Sequence, residues 1–211
     1  MIIPDDLRDG YRRFRAGRYV REAARYRALA AGQRPRTMVI GCADSRVDPA
    51  TIFAAGPGEL FVVRNVAALV PPCEQGGTFH GTSAAIEFAV SVLAVSTIVV
   101  LGHGMCGGVA AALAAAERRL DGRFIQPWVE LLAGVRDEVV AAMPDAGPAD
   151  RQKALEERAV RHSLDNLMGF PFVAAAVASG ALTLHGAWFS IADGELRWLD
   201  ADTGAFVAVP E

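Results

Sequence analysis

The chain has 211 residues, a formal net charge of −3 and 52% hydrophobic residues. That length suits one domain with a sizeable core, the composition excludes a disordered chain, and the small net charge argues against nucleic acid or an anionic membrane as a partner. Three cysteines, an odd and small number, argue against a disulfide framework and for a reducing compartment, so a cytoplasmic location is expected.

Residues 1–36 carry ten arginines, interspersed with Asp5, Asp6, Asp9 and Glu22. A targeting peptide is poor in acids and a secretory signal needs an apolar core, so neither fits. The expectation is an N-terminal helical arm over residues 1–32, either solvated or packed on a partner subunit. A strand is predicted at about 37–42, around Met38-Val39-Ile40. A short helix over Thr51–Ala55 is closed by Gly56-Pro57-Gly58, and a second strand, rich in Val and Phe, spans Leu60–Arg64. Ala85, Phe88, Val92 and Val95 have helical spacing. Thr97–Leu101 is continuous and β-branched, as a buried parallel strand should be. A helix starts near Cys106, another runs through Trp128, Leu131, Leu132, Val135 and Val139, and a third covers Leu155–Met168 and stops at Gly169. Residues 172–179 look helical. Two strands, Ala181–Ile191 and Leu196–Leu199, flank an Asp193-Gly194 turn. The longest apolar region, Ala84–Leu101, is interrupted by Glu87 and reads as helix plus strand, not as a membrane span. The predicted fold is a single α/β domain. It has a mostly parallel central sheet of four to five strands, helices on both faces and an antiparallel edge strand at the C-terminus.

Two stretches carry chemistry. "GCADSRVDP", Gly41–Pro49, sets Cys42, Asp44 and Arg46 at alternate positions where a strand stops. "GHGMCGG", Gly102–Gly108, sets His103 and Cys106 three apart among glycines that permit a tight backbone. In open parallel sheets, sites form beyond the carboxyl ends of the strands, and both motifs fall at such ends. Cys106 also opens a helix, where the dipole favours a thiolate. Two thiolates and one imidazole suit zinc, and three protein ligands leave a fourth position open for chemistry. Alone, H-x-x-C is a weak signal and a cysteine at a strand end is often a small core residue; the two motifs together are far more specific. No G-x-G-x-x-G follows the first strand, which argues against a dinucleotide site.

The pair "CADSRVDP" and "GHGMCGG", with "PGELFVVRNVAALVPP" and "GTSAAIEFAV" between them, resembles the β-class carbonic anhydrases, plant-like and non-allosteric. The resemblance runs from about Gln33 to Gly108 and more loosely beyond. It implies one Zn²⁺ per chain on Cys42, His103 and Cys106. Asp44 would be a fourth ligand or the partner of the reacting water, and Arg46 would hold Asp44 off the metal. The implied reaction is reversible hydration of carbon dioxide to bicarbonate. The implied substrate-binding residues are Gln33, Phe61, Val66, Phe88 and Gly107, with Phe88 standing where the family has Tyr. Two other readings are a zinc hydrolase of a small linear compound such as CS₂ and a zinc-stabilised scaffold; retention of Asp44, Arg46 and Gln33 argues against the scaffold. The resemblance further implies a homodimer or higher even oligomer, with Gln33 and Phe61 near a neighbour's site. Arg64-Asn65 resembles a pair that supports the site and the subunit contact. One branch of the family has a second, inhibitory bicarbonate site. The corresponding positions here are Val39, Arg64 and Phe189, two of which lack the necessary donors, so an open active site is expected. Spacing selects none of Cys73, His80, His162 or His185 for a role.

Overall fold

In the computed structural model the described residues are 3–74, 80–117 and 122–210. Three helices, α1 (Asp5–Ala16), α2 (Arg18–Arg21) and α3 (Ala23–Leu29), precede the sheet and bury none of their own residues. They touch the domain through arginines. Arg18 donates to the Ala55 carbonyl at 3.3 Å, and Arg25 donates to the Pro57 carbonyl at 2.8 Å and to Glu59 at 2.7 Å.

The sheet begins with β1 (Thr37–Cys42), whose Met38, Val39 and Ile40 are fully buried on alternating faces. A short helix, α4 (Pro49–Ile52), is capped by Asp48, which accepts from the Thr51 amide, and starts on Pro49. The chain returns through β2 (Leu60–Asn65), crosses over by α5 (Gly81–Glu87) and a π-turn at Phe88–Val92, and enters β3 (Thr97–His103). Helices α6 (Gly107–Glu117), α7 (Ile125–Val129), α8 (Ala133–Ala142), α9 (Pro148–Met168) and α10 (Pro171–Ala178) follow, and β4 (Thr183–Phe189), β5 (Leu196–Leu199) and β6 (Phe206–Ala208) finish the chain. The order across the sheet is β2-β1-β3-β4-β5-β6. The first four strands are parallel, and β5 and β6 are antiparallel.

The sheet therefore has six strands, one more than the four to five expected. The extra one, β6, is a three-residue strand that carries no alternating pattern long enough to read. The expected helix through Trp128 and Val139 is instead broken by a 3₁₀ turn at Glu130–Leu132. On one sheet face Met38, Ile40, Ile98 and Val100 pack under α5, α9 and α10. The other face, with Val39, Val99, Leu101 and Ala187, is covered in part by Ile52 and Phe53 of the α4 segment. A second cluster sits over the carboxyl ends of the strands and joins Cys42 and Cys106 to Val109, Leu132 and Leu155. From β1 the chain goes to β2 on one side and, by way of α5, to β3 on the other. That divergence opens a crevice beyond the ends of β1 and β3.

Candidate metal centre

Cys42 is the last residue of β1, and His103 the last of β3. The two strands pair in parallel with Gly41 opposite Leu101, so both side chains leave the sheet at the same level. The loop after β3 turns through Met105, which holds φ +57° and exposes its side chain, and delivers Cys106 to the start of α6. The glycines here do a different job from the one expected of them. None of Gly102, Gly104, Gly107 or Gly108 has a positive φ, and Met105 takes the left-handed position instead. Gly102 is needed for contact: a Cβ there would sit 2.6 Å from Val160 Cγ2.

The sulfurs of Cys42 and Cys106 lie 3.9 Å apart, and ligand atoms of Cys42, His103 and Cys106 all fall within 4.8 Å of one another. A disulfide would need about 2 Å; two thiolates on one tetrahedral zinc stand about 3.8 Å apart, from Zn–S lengths of about 2.3 Å. All three residues are buried. His103 Nδ1 is 2.9 Å from the Gly104 carbonyl, an acceptor only, which places the proton on Nδ1. Nε2 then carries a free lone pair, and it is a buried atom with no hydrogen-bond partner. A buried acceptor left unmatched is costly, and a cation between the two sulfurs would satisfy it. The donor set and the spacing fit zinc. Among the described residues this is the one such cluster of three or more His, Cys, Asp and Glu side chains.

The surroundings favour one thiolate, on Cys42. The Cys42 thiol is drawn well below its ordinary value by its contact with Cys106, against burial, with help from His103 and the amides of Asp44 and Ala67. The same contact and burial push the Cys106 thiol up, against the amides of Val109 and Gly108. The opposite shifts describe one proton shared by two sulfurs, a proton that a divalent cation replaces.

Asp44 and Arg46 stand beside this group. Arg46 grips the carboxylate through Nε to Oδ1 at 2.9 Å and Nη2 to Oδ2 at 2.8 Å, while the Arg46 amide adds a third bond to Oδ1 at 2.9 Å. This fork holds Asp44 well below the usual carboxylate range. Nη2 also reaches the Met105 carbonyl at 3.2 Å and so ties the two motif loops together. Arg64 supports the loop from below, donating to the Cys42 carbonyl at 2.7 Å and the Asp44 carbonyl at 2.5 Å. Its guanidinium is committed there, and Val39 and Phe189 pack in the apolar cluster under the sheet. These three positions thus form no anion cradle.

The expected substrate residues divide in two. Val66 follows β2 directly, and Gly107 opens α6 with free space before its Cα, so both adjoin the metal group. Phe61 pairs with Met38, four residues before Asn65, which is level with Cys42. At about 3.3 Å per residue it lies about 13 Å from the site of its own chain. It packs instead on Phe88, centroids 5.9 Å apart, at the open edge of the sheet, and Gln33 is exposed before β1. A cavity of about 660 Å³ beside Arg123 and Glu130 contains none of these residues; a three-atom substrate needs no such volume.

The sequence reading missed Glu156. It is 3% exposed on α9, and Oε1 accepts from the Cys106 amide at 2.9 Å and from Gln152 Nε2 at 3.0 Å, while Oε2 accepts from Trp188 Nε1 at 3.2 Å. Burial raises its pKa, with the three donors opposing. Glu156 falls in one buried stripe with Val160, Ser163 and Leu167, a core position that the packing of α9 shows and the sequence alone does not.

Residues 37–196 match the family model described as carbonic anhydrase. The chain belongs to the β-class carbonic anhydrases. It is 35% identical over 189 residues to β carbonic anhydrase 5, chloroplastic, of Arabidopsis thaliana, an alignment covering 90% of this chain and 62% of that protein; the chain thus spans under two thirds of that relative's length. The solved structure of the β-carbonic anhydrase CcaA superposes with a TM-score of 0.91 at 30% identity, over 98% of this chain and 92% of that one. A tetrameric β-carbonic anhydrase of Sordaria macrospora gives 0.74 at 31% identity, over 93% of each chain. In this β-class carbonic anhydrase fold the cofactor is zinc, and Cys42, His103 and Cys106 are the group built to hold it.

Proposed function

We propose that this chain catalyses the reversible hydration of carbon dioxide to bicarbonate, in an assembly of at least two copies. The observation that carries the reading is the Asp44–Arg46 fork beside a Cys-His-Cys group whose His103 Nε2 is unmatched. A purely structural zinc site has no use for a pinned, ionised carboxylate. Zinc, when bound, supplies the Lewis acid that makes water nucleophilic near neutral pH. Asp44, ionised and held at both oxygens, can only accept a hydrogen bond. It therefore fixes the orientation of the attacking water, while Arg46 keeps Asp44 charged and off the metal. Val66 offers an apolar wall suited to carbon dioxide.

Assembly follows from where Phe61 sits. In this reading Phe61, about 13 Å from its own site, lines a neighbour's. Among the described residues the outer edge of β2, which carries it, is unpaired; Val62 of β2 and Phe88 and Val92 of the π-turn are exposed at 38%, 43% and 64%. The arm adds exposed Leu7, Tyr11 and Val20. The net charge is small, and no described helix is long and apolar enough to cross a membrane. A reducing, cytoplasmic setting belongs to the same proposal, because thiols 3.9 Å apart are near enough to oxidise; a Cys42–Cys106 disulfide in protein taken from cells would sink it.

The deciding experiment is stopped-flow hydration of carbon dioxide with zinc quantitation on purified, reduced protein. About one zinc per chain and hydration that disappears on chelation are expected. Zinc-loaded protein with no hydration above background would overturn the reading.

A further inference from the structure

Between β2 and α5 the backbone passes through Ala67 (φ +66°) and Ala68 (φ +55°), two consecutive non-glycine residues in the left-handed region, both buried. Alanine resists that conformation, so something must impose it. Four contacts do. The Asn65 side chain brackets the turn, accepting from the Leu69 amide and donating to the Leu69 carbonyl, both at 2.8 Å. Ser163 donates to the Ala68 carbonyl at 3.4 Å and accepts from the Val70 amide at 3.2 Å. Gly108 leaves the room, since a Cβ there would come within 2.6 Å of Val66 Cγ1 and 2.9 Å of Ala67 Cβ. The fourth contact comes from 62 residues away: Trp128 Nε1 donates to the Val66 carbonyl at 2.8 Å.

That turn faces the metal group. Its first residue is Val66, and its Ala67 and Ala68 pack in one buried cluster with Cys42 and Cys106. A half-exposed Trp normally finds water for its N–H; here the N–H is turned onto the carbonyl of the peptide unit that joins Val66 to Ala67. An open apolar groove of about 450 Å³ is lined by Asn65, Val66, Phe124, Ile125 and Trp128. Rotation of this peptide unit would disturb the packing of Ala67 against Cys42 and swing Val66 away from the site.

We infer that Trp128 is a positioning residue, whose indole N–H locks the strained Val66–Ala68 turn so that Val66 walls the substrate site and Ala67 stays packed against Cys42. The inference rests on reading the Cys42 group as the zinc site of a carbon dioxide hydratase. Two substitutions separate the hydrogen bond from ring packing. Trp128→Phe keeps an aromatic ring without the donor. Trp128→His puts an N–H at the place of the indole nitrogen, because the five-membered rings superpose, and drops the rest of the ring.

Amide hydrogen exchange over residues 66–70, zinc release to a chelator, and kcat and KM for carbon dioxide are measured on the intact wild type and both variants. For Trp128→Phe, exchange over the turn should be about tenfold faster, zinc release faster, and KM several-fold higher with a smaller change in kcat. Trp128→His should lie closer to wild type in all of these. Wild-type exchange and KM in Trp128→Phe, or equal damage in both variants, would overturn the inference. The exchange arm reads the turn even if hydration is absent, which would tell against the proposed function separately.

Discussion

Asp44 and Arg46 show how two side chains can be fixed by a few covalent bonds of separation. The carboxylate is held at both oxygens by a guanidinium two residues away and has no freedom to rotate onto a metal. Asp44→Asn should therefore retain zinc and lose activity by about a hundredfold, the scale of a removed orienting or proton-handling group, as read by stopped-flow against zinc content. Arg46→Ala should fall similarly, and normal turnover in both would remove them from the mechanism. Asp44 also carries a pH signature. Its folded pKa is depressed, so its contribution to stability is complete above the unfolded value of about 3.9 and is lost as pH falls below it. Because Arg46 is half exposed, that contribution is modest. Denaturant unfolding from about pH 5 to about pH 3 should cost the wild type more stability than Asp44→Asn; parallel curves would show that Asp44 is not depressed by folding.

Among the elements, α9 does the most for the site while contributing no ligand. Its buried stripe presents Glu156 to the Cys106 amide, Val160 to Gly102, and Ser163 to the Ala68–Val70 backbone. Glu156→Leu would leave the N–H groups of Cys106 and Trp188 buried without acceptors, at about 1–3 kcal/mol each. Glu156→Gln, whose amide oxygen can still serve one of them, should cost less. Urea unfolding of the two variants checks the order, and equal losses would mean that side-chain volume and not hydrogen bonding matters there. Gly102→Ala tests the strand side of the same contact. Its methyl group meets Val160 at 2.6 Å, so destabilisation of about 1–3 kcal/mol is expected from overpacking.

At the scale of the molecule, the sheet has one edge built to be covered. Among the described residues β2 ends the sheet without a neighbour and carries apolar side chains that a monomer would expose to water, an edge that soluble chains ordinarily protect. Val62→Glu on that edge should shift the protein to monomers in light scattering. It should also abolish most activity, because Phe61 would no longer reach a neighbour's site; an active monomer would refute the shared-site arrangement. Zinc held by Cys42, His103 and Cys106 would tie the ends of two strands to the start of α6. Removing it with a chelator should lower the melting temperature, and Cys42→Ala, His103→Ala and Cys106→Ala should each reproduce that loss, since binding energy at a site formed on folding is also folding energy.

Local chemistry and periodicity determined much of this in advance. The buried strands were legible because a parallel strand covered on both faces must be continuously apolar, as Met38–Ile40 and Thr97–Leu101 are. The zinc ligands were legible because only a few residue types bind that ion, and their motifs end at strands. Three-dimensional proximity decided the rest. Glu156 reads in sequence as one more charge on a solvated helix, and only packing of α9 against the ligand loop reveals a buried acceptor. Trp128 reads as a helix-face apolar residue until the chain brings its N–H to a carbonyl 62 positions earlier. Strain at Ala67, Ala68 and Met105 has no sequence signature, because any residue can be forced into the left-handed region when enough long-range contacts over-determine it. Likewise, β6 forms because β5 supplies an edge to pair with, not because Phe206–Ala208 has a pattern of its own.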